Sequence, residues 1–87
     1  MATVRQIELL QKERAERELR MWFVVEAMLD GGPKASRELV LALGRKSYGE
    51  GARTVAWLRS LERKGKIVRA GEALGPTGHR NIVWALA

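Results

Sequence analysis

Residues 4 to 30 contain neither glycine nor proline, and their apolar positions change character near Glu18. Between Gln11 and Glu18 the only apolar residue is Ala15. In the first part of this segment Glu8 and Lys12, Glu13 and Arg17, and Glu16 and Arg20 stand in the acid-before-base order, four apart, that supports an exposed helix. From Leu19 the pattern becomes Leu19, Trp22, Phe23, Val25 and Met28/Leu29, a broad apolar stripe that predicts a core helix over 19–30. Residues 1–18 then read as a helical extension. Its short strip of Val4, Ile7 and Leu10 needs a surface, because an isolated helix of this length is marginal in water. A second copy of the chain supplies one by isologous pairing, so these three residues are the expected dimerisation strip of a homodimer.

Asp30-Gly31-Gly32-Pro33 closes the first helix, since glycine accepts the left-handed cap and proline cannot continue the ladder. Ser36 is the expected N-cap of a second helix that places Leu39, Val40 and Leu43 on one face before Gly44. Arg45 to Glu50 reads as a loop, and a third helix is predicted over 51–64, stopping at Gly65. Ile67-Val68 and Ile82-Val83-Trp84 are β-prone segments flanking a glycine- and proline-containing loop from Gly71 to Asn81, the pattern of a hairpin with a long tip. The expected fold is α+β and mostly helical: an N-terminal helical extension (1–18), then a domain (19–87) of three helices and a C-terminal two-stranded hairpin.

Composition narrows the chemistry. With 87 residues and no cysteine, the chain is one modest domain without disulfides, thiolate metal sites or cysteine nucleophiles. The longest apolar run, Met21 to Val25, is far too short to cross a bilayer, and the first residues alternate in charge instead of forming a signal-peptide apolar region. A cytoplasmic location is the expectation. Residues 1–43 carry as many acids as bases, whereas 44–87 hold Arg45, Lys46, Arg53, Arg59, Arg63, Lys64, Lys66, Arg69 and Arg80 against Glu50, Glu62 and Glu72, so the whole net charge of +6 sits there. A positive field confined to one half of a small protein points to a polyanionic partner.

On a helical wheel of 51–64, Thr54, Trp57, Leu58 and Leu61 share the core arc. Ala52, Arg53, Ala56, Arg59, Ser60 and Arg63 share the opposite one. Small residues let a backbone approach closely and arginines reach phosphates or guanine edges, so this face suits a major groove. A solvated helix face carries arginines as well, and the charge partition together with the following hairpin favours nucleic acid. Trp22, Trp57 and Trp84 lie within apolar runs and are expected to close the core. Tyr48, in a basic loop, either bonds a phosphate or packs on its neighbours, and His79, beside Arg80, is solvent-exposed or contacts phosphate. The glycines of the hairpin loop lack the Lys-Ser/Thr sequel of a P-loop.

The segment TVAWLRSLERKGKIVR resembles the recognition helix and first wing strand of bacterial winged helix-turn-helix regulators: Thr54, Trp57-Leu58, Leu61, Glu62, Arg63-Lys64, Gly65 and Ile67-Val68 occupy the matching positions. The resemblance spans roughly residues 19–87. It implies a sequence-specific duplex DNA-binding protein, a small transcriptional or phage-type regulator, with the third helix (51–64) in the major groove and the wing (69–81) on the backbone. Carried over, Arg53, Ala56 and Ser60 face base edges, Lys46, Ser47, Tyr48, Arg59 and Arg63 lie near phosphates, and Arg45, Arg69, His79 and Arg80 complete the basic surface. Two positions depart from the family: the loop from Gly44 to Gly51 is longer than its tight turn, and Thr54 stands where it holds valine or isoleucine, leaving Thr54 or Val55 for the core. The alternative function is a winged-helix protein-interaction module or a small phage-encoded inhibitor of a protein complex, and single-strand or RNA binding is a third. No nucleophile with a base, paired carboxylates, metal ligand cluster or effector domain is visible, so no enzymatic activity, cofactor, metal or small-molecule effector is expected.

Overall fold

The computed structural model describes residues 3–45, 47–75 and 78–87. Helices α1 (Val4–Asp30), α2 (Ser36–Ala42) and α3 (Tyr48–Arg63) and strands β1 (Lys34–Ala35), β2 (Ile67–Leu74) and β3 (Arg80–Leu86) follow in the order α1, β1, α2, α3, β2, β3. The strands form one antiparallel sheet in the order β1-β3-β2. The chain is thus α+β, as its pattern predicts, with a third strand that the pattern does not.

Helix α1 is continuous over 27 residues. Its start is a reciprocal cap: the Thr3 N–H donates to Gln6 Oε1 at 2.8 Å and the Gln6 N–H donates to Thr3 Oγ1 at 3.2 Å. At ~1.5 Å per residue it spans about 40 Å, which accounts for the 46 Å long dimension of the molecule. Only Val25 and Leu29 of α1 are buried, with Trp22 and Met28 packed partly against the core. Leu19 and Phe23, expected in the core stripe, are instead 52% and 58% exposed. The reason is geometric: sheet and α2 meet α1 on one side only, so the far edge of the broad stripe has nothing to lie against.

The turn through Gly32, whose φ of 118° suits glycine, delivers Lys34 and Ala35 to β3, where they pair with Trp84 and Val83. That pairing corrects the role of Ser36. Ala35 holds the N-cap position and gives its N–H to the Glu38 carboxylate at 2.9 Å. Ser36 is buried, donates its hydroxyl to the Ile82 carbonyl at 3.0 Å and accepts the Trp84 indole N–H at 2.8 Å. Trp84 can therefore be fully buried without an orphaned donor.

Both following helices end on left-handed glycines, Gly44 (φ 72°) and Gly65 (φ 77°). In each, the next N–H returns to the helix: Arg45 N–H to the Val40 carbonyl at 3.2 Å and Lys66 N–H to the Leu61 carbonyl at 3.0 Å. Helix α3 starts at Tyr48, three residues before the expected Gly51, because Ser47 caps it by accepting the Glu50 N–H at 3.1 Å. The expected loop from Arg45 to Glu50 is shortened accordingly. Thr54, not Val55, is the buried residue of the pair; its hydroxyl donates to the Glu50 carbonyl at 2.9 Å, which satisfies its polarity inside the helix. The core unites Val25 and Leu29, Leu39, Leu58 and Leu61, Ile67 and Trp84.

The hairpin strands are longer than expected. Most of the loop assigned to Gly71–Asn81 is ladder, with Glu72 paired to Ile82 and Leu74 to Arg80. A register shift between Arg69 and Gly71 leaves Ala70 unpaired, and Gly71 takes a φ of 151°. Among the described residues no helix is long and apolar enough to cross a membrane.

Candidate nucleic-acid interface

The outward side of α3 carries exposed Ala52, Arg53, Ala56, Arg59 and Arg63. Ser60, expected on this face, is half-buried and donates its hydroxyl to the Trp57 carbonyl at 2.6 Å. The helical repeat separates the cations: Arg59 leans to the hairpin edge of the face and Arg53 to the α1 edge, and each edge borders a different concavity.

On the hairpin side lies a groove of about 770 Å³ between α2, α3 and the hairpin tip. Gly51, Ala52 and Ala56 leave its floor open, and Val55 adds a larger apolar side chain from α3. Arg37 of α2, Arg45 of the connection, Arg59 of α3 and His79 of the hairpin line it, with Ser36, Ser47, Val40, Gly75 and Asn81 between them. No carboxylate lines this groove among the described residues. Guanidinium groups stay charged at any physiological pH, so the groove carries a standing positive potential.

On the other side, Arg53 faces a smaller cleft of about 240 Å³ shared with Arg14, Arg17, Glu18 and Met21 of α1, and with Arg45, Glu50, Thr54 and Trp57. Arg45 belongs to both concavities, and its Nη2 donates to Met21 Sδ at 3.4 Å. Trp57 is half-buried against the core, in keeping with its expected role.

The remaining predicted residues are scattered. Arg69 donates from Nε to Glu62 Oε2 at 2.9 Å and lies 5.7 Å over the Trp84 ring, so it fastens α3 to the sheet. Lys66 lies 5.0 Å over Trp22 and joins the hairpin base to α1 in the same way. Arg80 pairs across the hairpin with Glu72 at 3.7 Å, both well exposed. Lys46 and the Tyr48 side chain lie outside the described residues; the Tyr48 backbone opens α3 rather than sitting in a loop. Val4, Ile7 and Leu10 are 73%, 44% and 61% exposed on the free end of α1.

Sequence reasoning missed Arg37, Val55 and Asn81 in the groove and Arg14 and Arg17 in the cleft. A signal existed for Arg37 alone, an exposed cation in the first turn of the second helix. Arg14 and Arg17 belong to a charge-balanced segment, and only the course of α1 brings them to this side. Among the described residues no three of His, Cys, Asp and Glu lie together as a metal site would require. No family model matches the chain, and no curated protein or solved structure shows detectable similarity to it.

Proposed function

We propose that this chain is a winged helix-turn-helix protein that binds duplex DNA sequence-specifically, as a small transcriptional or phage-type regulator in the cytoplasm. One observation carries the reading: the groove between α2, α3 and the hairpin tip is lined by Arg37, Arg45, Arg59 and His79 and by no carboxylate among the described residues. Polyanion binding needs such a surface, and its floor of Gly51, Ala52 and Ala56 admits the close approach that base-edge contact requires. In this reading α3 lies in the major groove with Ala52, Ala56 and Arg59 at base edges, Arg37, Arg45 and Ser47 hold phosphates, and the hairpin tip with His79 and Arg80 follows the backbone. The reading requires no cofactor, metal or catalysis.

Two copies would act together through α1. Its free end exposes Val4, Ile7 and Leu10, and a symmetric dimer would cover them while offering two recognition helices to one duplex. The second reading, a protein-interaction module, is favoured by the same helix, because Leu19 and Phe23 are also exposed there.

Fluorescence anisotropy with duplex DNA, single-stranded DNA and RNA at two salt concentrations tests the proposal. Preference for duplex, with log affinity falling against log salt at a slope of roughly −4 to −5 for about five phosphate contacts, is the expected result. Absence of duplex binding at about 50 mM salt, or a flat salt response, transfers the function to a protein partner.

A further inference from the structure

The cleft between α1 and the start of α3 gathers four guanidinium groups, Arg14 and Arg17 from α1, Arg45 from the connection and Arg53 from α3, against the two carboxylates Glu18 and Glu50. Arg14 meets Glu18 at 3.6 Å, but the Arg14 side chain is 79% exposed, so the pair is weak. Neither Arg17 nor Arg53 forms an ion pair within the described residues. Met21 and Trp57 back the cleft, and the sulfur of Met21 accepts from Arg45, which keeps that guanidinium at the junction with the hairpin-side groove. Four guanidinium groups against two carboxylates leave the cleft with an excess of positive charge, which favours a bound anionic group.

We infer that this cleft is a second phosphate-binding surface, in which Arg14 and Arg17 of α1, together with Arg53, hold the backbone of the duplex beyond the segment read by α3. The inference rests on the duplex-binding reading and adds α1 to the interface. Continuity decides the occupant: because Arg45 lines both concavities, a single run of phosphates that leaves the groove beside Arg45 enters the cleft directly. An isolated small anion needs no such connected pair of sites. The spacing of Arg14 and Arg17 by three residues places both on the same side of α1, one turn apart, as contact with a continuous backbone requires. Arg53 is consequently a phosphate contact in this arrangement, while discrimination between bases falls to the part of α3 nearer the hairpin.

The test compares the full chain with Arg14→Ala/Arg17→Ala and with Arg14→Lys/Arg17→Lys on a long duplex and on one trimmed to the central site. Both arginines are exposed, so the fold does not depend on them. On the long duplex the alanine pair is expected to bind roughly tenfold to a hundredfold more weakly at about 100 mM salt, with the salt slope reduced by about two. The lysine pair should keep the slope, the trimmed duplex should narrow the difference between chains, and the ratio of specific to random affinity should not change. Wild-type affinity and slope for the alanine pair on the long duplex would overturn the inference while leaving duplex binding intact. Loss of affinity accompanied by loss of the dimer in sedimentation would overturn it as well, by assigning the arginines to assembly. Failure of the unaltered chain to bind any duplex would remove both readings together.

Discussion

Ser36 shows how one hydroxyl can join distant parts of a small core. It bonds both the Ile82 carbonyl and the Trp84 indole, 46 and 48 residues away in sequence. Ser36→Ala should leave the indole N–H of a fully buried tryptophan unpaired and cost about 1–3 kcal/mol. Thermal denaturation checks this: in a domain of this size a loss of ~1 kcal/mol lowers the midpoint by about 4–8 °C, and an unchanged midpoint would show that the bond contributes nothing. The residue-level signals that were legible are local. Gly44 and Gly65 stop helices where left-handed backbone is needed, whereas the caps of Thr3 with Gln6 and of Ser47 with Glu50 emerge only in the structure. Ser36 looked like a cap for an equally local reason. Its real partners come from the far end of the chain, and no periodicity announces them.

Among the elements, α1 is the one whose two ends have different surroundings. Residues 3–17 are all exposed, whereas Trp22, Val25, Met28 and Leu29 pack against or within the core. In a monomer, amides between about residues 8 and 16 should exchange with solvent orders of magnitude faster than those from 25 to 29, because nothing but the helix itself protects them. Hydrogen exchange at two protein concentrations measures this, and protection of the free end that rises with concentration is the outcome the dimer reading expects. Uniform protection at high dilution would mean that α1 is held by something other than a second copy. The continuous helix from 4 to 30 and the change of its apolar pattern near Glu18 are both readable from the sequence. How much of the stripe would be covered was not, since that depends on how wide a surface α2 and the sheet present to α1. The strands were underestimated for a related reason: Gly71, Glu72 and Asn81 have little strand preference, and the ladder with its bulge, not propensity, makes them extended.

At the scale of the whole molecule, charge along the chain and charge in space differ. The excess of bases lies after residue 43, yet Arg37, Arg14 and Arg17 come from the balanced half and line the same concavities. If the hairpin-side groove is the binding surface, Arg59→Ala should cost about 1–3 kcal/mol on a preferred site and relax its specificity. Arg37→Ala should weaken all duplexes alike and reduce the salt slope by about one, as anisotropy titrations on specific and random DNA will register. Equal losses for the two variants on both DNAs would deny Arg59 a part in reading sequence.

The most direct measurement is an NMR titration of the isotopically labelled 87-residue chain with a duplex selected from a random library. Shift changes should concentrate on Arg37, Ala52, Ala56, Arg59, His79 and Asn81, and spare the outer side of α1 around Phe23 and Ala27. Selection of no duplex, or perturbations confined to Leu19, Phe23 and the free end of α1, would contradict duplex binding through this groove.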